Sequence, residues 1–153
     1  MDKLDEIDLK LLRILQNDSK LSVKLIASMV NLSPSPVFER IRRLEQNGYI
    51  MSYKAILDAE KLNKGFIVFC SIKLKQHDRL IGNSFVEDIL KIDEVTECYN
   101  ISGDFDFLLK VQVSGMKQYQ DFVFNKLGAV ESIGSTHSSF VMAEIKNSKE
   151  IIF

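Results

Sequence analysis

The chain has 153 residues, of which 46% are hydrophobic and 27% are charged, and its formal net charge at pH 7 is -1. This composition is typical of a soluble globular protein, and the net charge argues against a polycation that binds nucleic acid without specificity. No apolar run approaches the roughly 18 residues of a membrane span, and the acidic start is unlike a signal peptide, so we expect a cytoplasmic protein.

The charge is unevenly distributed along the chain. Residues 20–54 hold six bases, Lys20, Lys24, Arg40, Arg42, Arg43 and Lys54, against two acids, Glu39 and Glu45. A local basic excess of this kind matters for phosphate binding even when the whole chain is nearly neutral.

Two helices are predicted before residue 32. Asp5 precedes apolar residues at helical spacing, which indicates a first helix over residues 6–16. Ser22 is a suitable N-cap for a shorter helix over about residues 23–30. That helix ends at Asn31, a residue that tolerates the left-handed conformation.

A third helix is predicted over residues 33–47, with the sharpest boundaries in the chain. Ser33 is a natural N-cap, prolines occupy the first turn, and Gly48 supplies a left-handed stop. Two helices joined by a turn of about four residues, the second with bases on its outer face, predict a helix-turn-helix with an extra helix in front. We assign this domain, with an extended linker strand over residues 49–57, to residues 1–62.

The outer face of the third helix is the predicted DNA-reading surface. Ser35 and Glu39 point outward near its N-terminal end, where a recognition helix meets base edges. Arg42 and Arg43 are expected at guanines or phosphates, and Arg40, beside the apolar stripe, suits either phosphate binding or a salt bridge inside the domain. The predicted DNA-binding residues are Ser33, Ser35, Glu39, Arg40, Arg42 and Arg43.

From residue 63 the pattern changes to alternating strands and helices. The order β-α-β-β-α-β predicts a ferredoxin-like domain over residues 63–153, with helices on one face of an antiparallel sheet, so the fold class is α+β. The predicted elements are a strand at 66–74, a helix at 81–92, strands at 95–102 and 105–113 around a Gly103-Asp104 turn, a helix at 116–127 and a last strand within 133–146.

Both faces of the predicted sheet carry apolar side chains. Ile67, Phe69 and Leu108 lie opposite the regular apolar sets, on the face that no helix of the same domain covers. A partner subunit is the economical cover, so we expect at least a homodimer. Paired recognition helices would then enter major grooves roughly 34 Å apart on a pseudo-palindromic site.

No pattern of ligating or nucleophilic residues predicts a metal, a cofactor or catalysis. Cys70 and Cys98 lie in apolar strand-like runs and are expected to be buried, reduced thiols. His77 and His137 are too far apart for a metal motif and are interpreted as surface or strand-face residues. Nucleophile elbows and Ser/His/Asp orders are absent from the sequence, so no catalytic residue is predicted.

Four segments, in this order, resemble the Lrp/AsnC (feast/famine) family of transcriptional regulators. Each segment alone is weak evidence for the family, but together the four segments extend over nearly the whole chain and are specific. The segments are Leu4-Asp5-x-x-Asp8 with Leu12 and Leu15, Leu32-Ser33-Pro34-Ser35-Pro36-Val37 with Arg40, Arg43-Leu44-Glu45 and Gly48-Tyr49-Ile50, Gly103-Asp104-Phe105-Asp106-Phe107-Leu108-Leu109, and Thr136-His137-Ser138-Ser139-Phe140-Val141-Met142.

The resemblance implies a winged helix-turn-helix domain, a linker strand and an effector domain that dimerises and often assembles into tetramers or octamers. It also implies a small amino acid bound near the Gly103 hairpin and the last strand, with carboxylates at its ammonium group and hairpin N–H groups at its carboxylate. The implied effector-binding residues are Tyr99, Gly103, Asp104, Asp106, Ser138 and Ser139.

The sequence therefore predicts a sequence-specific DNA-binding regulator whose assembly or DNA affinity responds to a small amino acid. Two alternatives remain open. One is an architectural DNA-binding protein that needs no ligand, and the other is an amino-acid-sensing regulatory subunit of a metabolic enzyme.

Overall fold

A computed structural model describes residues 3–76, 78–148 and 150–153, so the interpretation of His77 lies outside the described residues. The chain forms two compact units, the first made of Met1–Ile56 with Asn147–Phe153 and the second of Leu57–Lys146. These units differ from the expected domains at two points. The first ends six residues before the expected boundary at 62/63, and it also contains the last residues of the chain, because these pack against its first helix.

The first unit contains three helices, as the periodicity predicted: α1 at Glu6–Asn17, α2 at Val23–Met29 and α3 at Pro34–Gln46. Asp5 caps α1 by accepting the backbone N–H of Asp8 over 2.8 Å. Asn31, between α2 and α3, has a φ of 55°, the left-handed conformation that closes the turn of the helix-turn-helix. The core of this unit is a cluster of buried apolar residues: Leu11, Leu15, Ile26, Ala27, Val30, Val37, Ile41 and Leu44.

The second unit is a four-stranded sheet with helices on one face. All strand pairs are antiparallel, and the strand order β2-β3-β1-β4 is that of the ferredoxin-like fold, as predicted. The elements are β1 at Phe66–Leu74, α4 at Arg79–Ile89, β2 at Val95–Asn100, β3 at Phe107–Val113, α5 at Met116–Asp121 and β4 at Ile133–Phe140.

Three details of the expected elements are corrected. Residues 51–57 are not part of a hydrogen-bonded strand, because no other described segment pairs with them. β3 begins at Phe107 and not at 105, because residues 101–106 form a longer loop. The helix that starts at Met116 is α-helical only to Asp121, and it continues as a π-helical turn at Phe122–Lys126 and a 3-10 turn at Leu127–Ala129.

The register of the sheet separates two faces. Val68, Cys70 and Ile72 are fully buried under the helices. Ile67 and Phe69 alternate with them and share the opposite face with their β3 partners Gln112 and Lys110. Below, this helix-free surface is called the open face.

The prediction that both cysteines are buried is confirmed for Cys70 and wrong for Cys98. Cys70 is fully buried on the central strand β1, whereas Cys98 is exposed. The reason is position in the sheet, since β2 is an edge strand and is flanked only by β3. A strand-like sequence run does not reveal whether its strand is central or at the edge.

Candidate DNA interface and effector site

Helix α3 has one buried side and one exposed side. Its apolar stripe of Val37, Ile41 and Leu44 is buried against the other two helices, as predicted. Ser33 occupies the N-cap position, but its side chain makes no capping hydrogen bond. The first turn of α3 is instead preset by Pro34 and Pro36, which have no backbone N–H to satisfy.

The exposed side of α3 carries a continuous polar stripe. Ser35, Glu39, Arg42 and Gln46 follow one another at intervals of four, three and four residues, and all four are exposed. Within the part of the chain that the structure describes, Arg42 makes no hydrogen bond or ion pair. Its guanidinium is therefore available to a phosphate or a guanine edge.

The other two arginines of α3 are held by Asp8 of α1. Asp8 is only 1% exposed, and its carboxylate accepts Arg40 over 2.7 Å and Arg43 over 2.8 Å. Arg40 also donates to Asp5 over 2.6 Å. A buried carboxylate is stable only with such partners, so this network fixes α3 against α1.

The network contains the salt bridge inside the domain that was one of the two roles left open for Arg40, and phosphate binding by Arg40 stays a prediction. The Arg40 side chain is 26% exposed, and the hydrogen bonds that it donates to Asp8 and then to Asp5 raise the pKa of its guanidinium. Arg43 is 47% exposed and uses one terminal nitrogen on Asp8, so part of its guanidinium still faces solvent. Its predicted contact with DNA stays a prediction.

The candidate effector hairpin is a loop whose second aspartate is already engaged. Gly103 has a φ of 122°, a conformation that favours glycine. The Asp106 carboxylate accepts the backbone N–H of Leu74 over 2.7 Å, and the Asp106 N–H donates to the carbonyl of Ile72 over 2.8 Å. Asp106 therefore closes the end of β1, whereas Asp104 is exposed.

The candidate effector serines lie on opposite faces of β4. Ser138 pairs with Cys70 and faces the core, where its hydroxyl lies 2.6 Å from that of Tyr119. The Tyr119 hydroxyl in turn lies 3.1 Å from the Cys70 sulfur, and burial raises the pKa of both groups.

Ser139 pairs with Phe69 on the open face. Tyr99 shares that face through its partner Leu108, and its hydroxyl donates to Glu97 over 2.6 Å. The structure thus brings Tyr99 and Ser139 to one face of the sheet and directs Ser138 to the other.

Sequence reasoning assigned no role to Asp8, although it lies in the motif Leu4-Asp5-x-x-Asp8. The spacing itself contained a signal, because two acids three residues apart at a helix start are typical of a capping box, and both of its bonds are present here. The partners on α3 are more than 30 residues away and had no local signal. Among the described residues, no three His, Cys, Asp or Glu side chains form a possible metal site, and no helix is long and apolar enough to cross a membrane.

Comparison with known proteins decides the family. Residues 67–151 match the domain described as the Lrp/AsnC ligand binding domain, and residues 4–51 match a winged helix-turn-helix DNA-binding domain. This chain belongs to the Lrp/AsnC family. The Lrp/AsnC ligand binding domain corresponds to the sheet with its helices, and the DNA-binding domain to α1, α2 and α3.

Named Lrp/AsnC relatives are transcriptional regulators. The chain is 36% identical to the leucine-responsive regulatory protein of Escherichia coli K12 over 149 residues, which cover 97% of this chain and 91% of that protein. It is 37% identical to the DNA-binding transcriptional activator DecR of the same organism over 143 residues, 94% of each chain.

Solved Lrp/AsnC structures have the same fold along the whole chain. An AsnC family transcriptional regulator from Agrobacterium tumefaciens superposes with a TM-score of 0.92 at 38% identity and covers 97% of each chain. A transcriptional regulator from Neisseria meningitidis, solved as a complex with L-Met, superposes with a TM-score of 0.93 at 30% identity and covers 98% of this chain and 97% of its own.

Proposed function

We propose that this DNA-binding regulator recognises pseudo-palindromic promoter sites as a homodimer or a larger assembly, and that a small amino acid bound to its ferredoxin-like unit tunes its DNA affinity. The observation that carries the DNA part is the exposed stripe of α3. It presents Arg42 without a protein partner among the described residues, beside Glu39 and Ser35, on a helix whose opposite side is fully packed.

The chemistry of this stripe suits a major groove. The guanidinium of Arg42 matches the two acceptors of a guanine edge, and Glu39 can accept from a cytosine amino group. Arg43, with part of its guanidinium free, and Ser33 and Ser35, near the helix start, suit phosphates and base edges at the same end. Lys20, Lys24 and Lys54, the lysines of residues 20–54, supply non-specific attraction to the DNA backbone.

The amino-acid response is supported by the family and by one relative. The Neisseria meningitidis regulator binds L-Met in its structure, and it has the same fold along nearly the whole length of this chain. Asp104 is exposed at the hairpin and is available to an ammonium group, while Tyr99 and Ser139 lie on the open face, on the two edge strands β2 and β4. The proposed binding residues are Tyr99, Gly103, Asp104, Asp106, Ser138 and Ser139.

The homodimer is supported by the open face. Ile67, Phe69 and Leu108 lie on it without a covering helix, and a second copy would bury this apolar area. Two copies would also supply the two recognition helices that a pseudo-palindromic site requires. We place the protein in the cytoplasm, where its DNA would be.

One experiment tests both parts. Duplexes are selected in vitro for tight binding to the full chain, and the dissociation constant of the best is measured by fluorescence anisotropy with each of the twenty amino acids. We expect a preference of at least about a thousandfold over random DNA, and a shift in affinity or in oligomer size with a small number of amino acids.

The rival functions predict other results. An architectural protein would bind all duplexes alike and ignore every amino acid, with a steep dependence on salt. A regulatory subunit of an enzyme would bind an amino acid in calorimetry but select no DNA. No curated relative named above is an enzyme, which favours the regulator.

A further inference from the structure

The segment 150–153 belongs to the first unit and lies against α1. The backbone N–H of Ile151 donates to Oε1 of Gln16 over 2.8 Å, and Nε2 of Gln16 donates to the carbonyl oxygen of Ile151 over 3.1 Å. A side-chain amide that satisfies both backbone groups of one residue acts like a neighbouring strand. It therefore fixes where the segment sits along the helix.

A second anchor holds Phe153. Nε and one terminal nitrogen of Arg13 both donate to the Phe153 backbone oxygen, over 3.1 and 2.5 Å. The Arg13 guanidinium also lies 5.3 Å from the centre of the Phe153 ring, within range of a cation–π interaction. Gln16 and Arg13 lie three residues apart on α1, so both anchors hold the same end of that helix.

The segment also borders an apolar groove of about 440 Å³ in the first unit. Leu9, Leu12 and Leu15 of α1 line it, together with the residues that follow α3, Tyr49–Tyr53. Phe153 and Ile151 form another part of its wall, where Phe153 is 44% exposed and Ile151 72% exposed. Partial apolar packing of Phe153 therefore adds to the polar anchors.

Helix α1 connects this segment to the DNA-reading helix. Its last turn carries the Gln16 anchor, and its first turn carries Asp8, which holds Arg40 and Arg43 of α3. The last turn of α1 contains no Lys or Arg side chain that could stabilise it. The hydrogen bonds between Gln16 and Ile151 add a stabilising contact at this end of the helix. The position of α1 is thus shared between residues 150–153 and α3.

We propose that residues 150–153 are a strap that holds α1 in the position in which α3 binds DNA tightly, an inference that rests on the proposed DNA binding. With the strap docked, Asp8 keeps Arg40 and Arg43 in place, and the exposed polar stripe of α3 that contains Arg42 is presented to the major groove of DNA. With the strap released, α1 loses its C-terminal anchors and the affinity for DNA falls.

The test uses the full chain with Gln16→Ala, which removes the amide clamp without changing the charge that phosphates meet. The matched control is Gln120→Ala, an exposed glutamine on α5 in the other unit. Amide hydrogen exchange at Ile151 and along α1 reports docking, and fluorescence anisotropy on a duplex selected with the wild-type chain reports DNA affinity. Phe153→Ala is a second variant that leaves the sequence of α1 intact.

We expect Gln16→Ala to remove the protection of the Ile151 amide and to raise the dissociation constant for DNA about three- to tenfold. Phe153→Ala should act in the same direction, and Gln120→Ala should change neither quantity. Unchanged DNA affinity in a variant whose Ile151 amide has lost protection would overturn the proposal. So would a wild-type Ile151 amide that exchanges as fast as an unstructured peptide.

Failure of the proposed function has a different signature. In that case the wild-type chain selects no DNA, while the Ile151 amide is still protected and still loses protection in Gln16→Ala. That result would establish that the strap docks on α1. It would refute DNA binding and, with it, the proposed coupling between the strap and DNA affinity.

Discussion

The guanidinium of Arg43 on the reading helix donates to the buried carboxylate of Asp8 on α1 over 2.8 Å. Arg40 binds the other oxygen of the same carboxylate over 2.7 Å. The three arginines of α3, Arg40, Arg42 and Arg43, therefore fall into two classes: a pair that holds α3 to α1, and one side chain directed to solvent.

Asp8→Ala is expected to destabilise the first unit. The substitution leaves Arg40 with Asp5 alone and removes the carboxylate partner of Arg43, and losing one member of such a network costs about 2–4 kcal/mol. Urea denaturation followed by circular dichroism measures the free energy of unfolding. Asp18→Ala is the control, because Asp18 is an exposed carboxylate at the other end of α1, and it should cost less than about 1 kcal/mol.

Arg42→Ala and Arg43→Ala should differ in what they change. Arg42→Ala is expected to weaken DNA binding about five- to a hundredfold while the unfolding midpoint stays the same, because Arg42 has no partner among the described residues. Arg43→Ala should weaken binding and also lower the midpoint, since it opens the Asp8 pair. If Arg42 contacts a phosphate, the slope of log affinity against log salt falls by about 1. If the Arg42→Ala variant binds DNA with wild-type affinity, Arg42 does not belong to the DNA interface.

Acid should destabilise the first unit through Asp5. Its pKa is lowered by the backbone N–H of Asp8 and then by the side chain of Arg40. A carboxyl whose folded pKa lies below its unfolded value stabilises the fold above the unfolded value, and this stabilisation is lost as pH falls through the folded value. Unfolding free energy should therefore decrease below about pH 4. Asp5→Asn keeps an N-cap oxygen and should make this decrease smaller, and denaturant titrations at pH 6 and pH 3 measure the difference.

Variants of the two hairpin aspartates, Asp104 and Asp106, distinguish a structural role from a role in ligand binding. Asp106→Ala removes the acceptor of the Leu74 N–H, so the second unit should lose about 1–2 kcal/mol of stability whether or not an amino acid binds there. Asp104→Ala should leave stability unchanged and weaken amino-acid binding in calorimetry. If Asp106→Ala binds the amino acid as tightly as the wild type does, the proposed role of Asp106 in the ligand site is wrong.

Ser138 and Ser139 should respond differently to removal of the hydroxyl. Ser138→Ala breaks the hydrogen bond to Tyr119 inside the core and should cost about 1 kcal/mol. Ser139→Ala, on the open face, should change the stability of the isolated chain little. Thermal unfolding of the two variants, with and without the amino acid, shows which hydroxyl contributes to folding and which to the ligand. Equal losses in both variants would contradict the assignment of faces.

The helices and strands could be predicted because their signals are local. The stripe of Val37, Ile41 and Leu44 marked the buried side of α3, and the alternation from Phe107 to Val113 marked β3. The exposure of Cys98 could not be predicted, because it depends on the place of β2 at the edge of the sheet. The linker was expected as a strand, yet an extended sequence forms one only where another segment supplies the hydrogen bonds.

The candidate sites were predicted less completely than the fold, because their decisive contacts join distant residues. Nothing near Arg43 in the sequence distinguishes it from Arg42; the difference arises from Asp8, 35 residues away. The role of Gln16 had no sequence signal at all, since an exposed glutamine near a helix end is ordinary and its partner Ile151 is 135 residues further on.

The docking of residues 150–153 on α1 has a consequence for how the protein is made. The whole second unit, Leu57–Lys146, is in effect an insertion between two parts of the first. During synthesis α1, α2 and α3 leave the ribosome first, but their unit is complete only after the entire ferredoxin-like unit has followed. The unit that is translated first is thus the last to be finished.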